Sequence, residues 1–71
     1  MTATSTRAAI MAIVGFSPLG CTAGDLWEQL AGGNEATRRK ITAACYKLRE
    51  DNELTWNGTV IDSWTVLMKV Q

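Results

Sequence analysis

Between two stretches of helical periodicity lies Gly32-Gly33-Asn34, a break that obliges one helix to stop and another to start within three residues. Paired glycines supply no side chain to hold helical backbone, and glycine is the common stop residue past a helix end. Asparagine is a favoured N-cap, because its side-chain oxygen accepts from the free amides of a first helical turn. No long helix can therefore cross the middle of the chain. A core must come from short helices folded against one another and against whatever follows them.

The segment before the break starts with its own signal. Thr22 and Asp25 have capping-box spacing, with the hydroxyl directed at the first amides and the carboxylate reaching back. Ala23, Leu26, Trp27 and Leu30 then share one side, with Glu28 opposite. After the break, Glu35 stands in a first turn, and Ile41, Ala44, Cys45 and Leu48 fall on one side of a helix. An earlier helix is predicted from about Thr6 to Val14, with Ile10, Ile13 and Val14 on one face, ended by Gly15-Phe16-Ser17-Pro18-Leu19-Gly20. Leu19 to Thr22 reads equally as a short extra strand between helices one and two or as extended chain.

Past the polar turn Glu50-Asp51-Asn52-Glu53 the pattern becomes strand-like, in Leu54 to Trp56 and again in Trp64 to Val70. Asn57-Gly58 is a strong signal for a two-residue hairpin turn, which would set Trp56 opposite Thr59. A longer tip, Asn57 to Ser63, sets Leu54 opposite Val66 and Trp56 opposite Trp64. That register gathers Leu54, Trp56, Trp64, Val66 and Met68 on one face. A one-residue slip moves every side chain to the other face, so the apolar pattern favours the longer tip.

Seventy-one residues allow one domain, expected over 1–71 with residues 1–5 flexible. The margin of core in so short a chain is thin, and dimerisation would add to it. Two cysteines without histidine give a poor zinc site, so no metal and no cofactor is expected. Cys45 sits at an apolar position, where a free thiol packs as a small hydrophobe; a Cys21–Cys45 disulfide is the alternative. Reduced thiols, a short apolar run at Ala8 to Phe16 and no stretch of about 20 apolar residues fit a cytoplasmic protein without a membrane segment. Asp25 and Glu28 are explained by helix capping and dipole complementarity. With no histidine and no nucleophile–base arrangement, no catalytic residue is expected and the chain is not read as an enzyme.

Charge is distributed unevenly. The chain is formally neutral, yet Asn34 to Glu50 holds five of its seven basic residues against two acidic ones. One helix thus concentrates positive potential, which suits contact with a phosphate backbone from one surface. The run SPLGCTAGDLWEQLAGGNEATRRKITAACYKLREDNELTW resembles the winged-helix variant of the helix-turn-helix. An extended residue and cap precede an L-x-x-x-L helix. A glycine turn leads to a second helix with Ile41, Cys45 and Leu48 apolar, and Leu54 opens the hairpin. The resemblance covers roughly residues 6 to 70. It departs from the family's pattern in having Asn52-Glu53 where a glycine is usual, and in a wing tip, Asn57 to Ser63, without Lys or Arg.

The resemblance implies an α+β winged helix of three helices followed by a two-stranded antiparallel hairpin. It implies a small transcriptional regulator whose third helix docks in the major groove of double-stranded DNA, commonly as a homodimer; in this chain helix one or the Trp-bearing hairpin is the expected meeting surface. The contacting residues would be Arg38, Arg39, Lys40, Thr42, Ala43, Tyr46 and Lys47, with Arg38 near the apolar side and placed to pair with Glu35. The alternative is a winged helix that binds a protein, in the manner of a phage or mobile-element protein that inhibits or redirects host machinery such as a CRISPR complex. Neutral charge and apolar hairpin residues suit that alternative.

Overall fold

Residues 5–70 are described by the structure, a computed structural model. Three helices, α1 (Thr6–Gly15), α2 (Ala23–Leu30) and α3 (Glu35–Glu50), are followed by an antiparallel hairpin of β1 (Leu54–Ile61) and β2 (Trp64–Lys69), an α+β arrangement in the expected order. The expected flexibility of residues 1–5 falls, apart from Ser5, outside the described residues. Ser5 itself is the N-cap of α1, its hydroxyl accepting from the Ala8 amide at 3.1 Å.

The break at Gly32-Gly33-Asn34 works as its residue types require. The Ala31 and Gly32 amides both return to the Trp27 carbonyl at 2.8 Å, and Gly32 takes a left-handed φ of +56°. Asn34 then caps α3, its Oδ1 accepting from the Thr37 amide at 2.8 Å. At the start of α2 both halves of the capping box form: the Thr22 amide donates to Asp25 at 3.0 Å and the Asp25 amide to the Thr22 hydroxyl at 3.1 Å. α3 ends through Asn52, at φ +65°, with the Glu53 amide reaching the Leu48 carbonyl at 2.9 Å. Asparagine tolerates that conformation, which is why no glycine is needed before the hairpin.

The core is built from Ile10 and Val14 of α1, Leu26 of α2, Ile41, Cys45 and Leu48 of α3, and Leu54 and Leu67 of the hairpin. Cys21 completes it from the α1–α2 loop and pairs with Leu67 as one antiparallel bridge, with N···O distances of 2.9 and 2.8 Å. The extended segment between the first two helices thus adds a single bridge to the sheet.

The hairpin differs from the expected register. Leu54 pairs with Lys69, Trp56 with Leu67 and Ile61 with Trp64, leaving Asp62-Ser63 as a two-residue turn with φ of +49° and +69°. Neither an Asn57-Gly58 hairpin turn nor a tip spanning Asn57 to Ser63 forms; Asn57-Gly58 instead lies in a bulge between Trp56 and Val60. The left-handed freedom of Gly58 (φ +93°) is used there, and Asn57 is held by its side-chain Nδ2 donating to the Leu19 carbonyl at 2.7 Å. Directly paired residues share a face, so Leu54 and Trp56 lie with Leu67, while Trp64, Val66 and Met68 point the other way. The five apolar residues are therefore split between faces. Both faces are covered at the centre of β2: Leu67 meets the helices, and Val66 is buried where Gly20 of the α1–α2 loop packs on it. Among the described residues, no helix is long and apolar enough to cross a membrane.

Candidate functional site

Burial of Ile41, Cys45 and Leu48 fixes the rotation of α3 and turns Arg39, Lys40, Ala43, Tyr46 and Lys47 outward. Tyr46 is 65% exposed, although its ring would bury readily in a core. Arg38 and Thr42 are half-buried at the seam with α2. There the Trp27 indole N–H donates to the Thr42 hydroxyl at 3.1 Å, and that hydroxyl donates to the Arg38 carbonyl at 3.0 Å. The Arg38 guanidinium lies 5.2 Å from the Trp27 ring centroid, and its Nε donates to the Gly32 carbonyl at 2.8 Å. The expected pairing of Arg38 with Glu35 does not form; the guanidinium is engaged by the end of α2 instead. Trp27 also packs edge-to-face on Trp64, with centroids 4.8 Å apart, which joins α2 to the hairpin.

The basic residues sort into engaged and free. Arg7 is paired with Asp51 at 2.8 Å, and Lys47 lies 3.4 Å from Asp51 and 3.9 Å from Glu50. Arg39, Lys40, Arg49 and Lys69 make no ion pair among the described residues, and the first three are on α3. Of the seven candidate residues, the structure brings Arg39, Lys40, Ala43 and Tyr46 together as an accessible surface. Arg38, Thr42 and Lys47 have protein partners.

Arg49 belongs to this surface although it is not among the residues expected from the sequence. It lies three residues after Tyr46, so helical spacing alone puts the two on adjacent rows, and both line a recess against Trp64 and Thr65 of β2. On the other side of Tyr46, Glu35, Arg39, Ala43 and Trp27 line an open, mainly apolar groove of about 400 Å³. The hairpin adds no cation between Asn57 and Ser63 and carries Asp62.

A second kind of surface is apolar. Phe16 and Leu19 in the α1–α2 loop are 89% and 83% exposed, and Trp56, Val60 and Ile61 of β1 are each about half exposed. Cys21 and Cys45, by contrast, are buried and unbonded. Burial pushes both thiols up to about 11, with Asp25 adding to the effect at Cys21 and Cys21 adding to it at Cys45. Both stay protonated near neutral pH, a poor state for a nucleophile or metal ligand. No protein family, curated protein or solved structure matches the chain.

Proposed function

We propose that this chain is a winged-helix DNA-binding protein, a small transcriptional regulator that places α3 in the major groove of duplex DNA. The observation that carries the reading is the set of free cations: α3 supplies Arg39, Lys40 and Arg49, while opposite charges pair with Arg7 of α1 and with Lys47 at the end of α3. A formally neutral molecule thereby gathers unpaired positive charge on one helix, as docking against phosphates requires. The order of elements and the Cys21–Leu67 bridge support the winged-helix reading. Two copies acting on two half-sites belong to the same proposal, since one short basic helix gives little specificity alone.

Binding to random duplex DNA as salt is varied tests it. Affinity should fall as salt rises, and Arg39→Ala/Lys40→Ala should flatten the log–log slope by about two. No measurable binding at low salt would defeat the DNA reading. The second reading, a protein-binding module, is favoured by Phe16 and Leu19, which no element among the described residues covers. Under it, binding to a partner would survive Arg39→Ala/Lys40→Ala and be lost on Phe16→Ser/Leu19→Ser. Scattering mass across a concentration series separates self-association from capture of another protein.

A further inference from the structure

Glu35, Arg39 and Ala43 stand at i, i+4 and i+8 on α3, all three exposed and all lining the same groove with Tyr46. A helix in the major groove lies inclined to the duplex axis, and side chains three or four residues apart then reach successive bases, so neighbouring members of this row meet neighbouring base pairs. Resting on the DNA-binding reading, we infer that this row selects cytosine, guanine and thymine, in that order along the groove on successive base pairs, each on either strand.

The chemistry of the three side chains sets the order. Arg39 has only donors and no ion-pair partner among the described residues, and the double acceptor of the major groove is guanine O6 and N7. Ala43 offers a methyl group and nothing else, and the one apolar group on a base edge there is the thymine methyl. Glu35 is an acceptor only, and it forms no ion pair with Arg38 or Arg39. Its complement is the cytosine amino group, because adenine sets the N7 acceptor beside its own amino group. Lys40, on the flank of the row, is left for phosphate. Thr42 and Arg38 are held by Trp27 and Gly32 and take no part in reading bases.

Selection of duplexes from a random library by the full chain at low salt, followed by base-analogue substitution in the enriched duplex, tests this. The enriched sequence should contain guanine and thymine on neighbouring base pairs, with cytosine beyond the guanine. Replacing that thymine by deoxyuridine removes only the methyl and should weaken binding about fourfold, the value of one buried carbon. Replacing the guanine by 7-deazaguanine removes one acceptor and should weaken binding about tenfold. Ala43→Ser should erase the deoxyuridine penalty and Arg39→Ala the deazaguanine penalty, with salt-dependent binding to random duplex kept as the sign that each variant is folded. An enriched sequence without that spacing, or analogues bound as tightly as the parent, overturns the inference and leaves DNA binding intact. Absence of binding to any duplex overturns the DNA reading itself, and this inference with it.

Discussion

Gly20 shows how one residue can be fixed by a neighbour far away in sequence. Its φ is +85°, and a Cβ there would lie 2.3 Å from the Leu67 carbonyl oxygen, the group that accepts from the Cys21 amide. A side chain would thus strain the loop backbone and push apart the bridge that ties the loop to β2. Gly20→Ala should cost about 2–4 kcal/mol, more than the roughly 1–2 kcal/mol of left-handed strain alone. The midpoint of urea unfolding measures this; a midpoint within error of the parent would show that the loop can move off the strand at no cost. At the same scale, Arg38 is only half legible in the sequence. Its place near the apolar side follows from helical spacing. Its partners do not: the Gly32 carbonyl is left free by the end of another helix, and the Trp27 ring is presented by α2. Arg49 is legible by spacing from Tyr46, and only the fold shows that it lines the recess against Thr65 and Trp64 without an ion-pair partner among the described residues.

Elements whose signals are local can be read directly from the order of residues. The capping box of Thr22 and Asp25, the Asn34 cap and the glycine stop each depend on groups within a few residues, and the fold contains all three. The hairpin cannot be read in the same way. Asn57-Gly58 has the composition of a turn, but the Asn57 amide is held by Leu19, 38 residues away, and the pair becomes a bulge. The apolar pattern misleads because it assumes one buried face, whereas Val66 and Leu67 are both buried on opposite faces. The true turn, Asp62-Ser63, holds two non-glycine residues at positive φ. Asn-Gly is the preferred pair for that geometry. Asp62→Asn/Ser63→Gly should therefore stabilise the protein by about 0.5–1 kcal/mol, with unchanged register. A thermal midpoint raised by a few degrees is the expected reading. A lowered midpoint would mean that Asp62 or Ser63 makes its own contribution to the tip.

Across the whole molecule, charge pairing and the docking surface are linked by Asp51. It receives Arg7 from the start of α1, 44 residues away, and Lys47 from the last turn of α3, so it ties the ends of two helices and pairs two surface cations. The Arg7 hydrogen bond is the main reason its carboxyl titrates below the ordinary 3.8, with Lys47 adding to the shift against the opposing effect of desolvation. A carboxyl lowered in the folded state binds its proton more readily when unfolded. Its stabilising contribution is therefore complete above 3.8 and disappears as pH falls through the lowered value. Asp51→Asn should unfold at lower urea than the parent at pH 7, and the gap should close as pH falls below 3.8, with salt narrowing it at neutral pH because the pair is exposed. The same variant frees Arg7, leaves Lys47 with Glu50 alone, and so leaves the molecule with more positive charge beside α3. If α3 docks on phosphates, Asp51→Asn should bind random duplex DNA more tightly and with a steeper salt dependence, despite being less stable. A gap in stability that persisted at low pH would show that Asp51 acts through the helix end rather than through its charge.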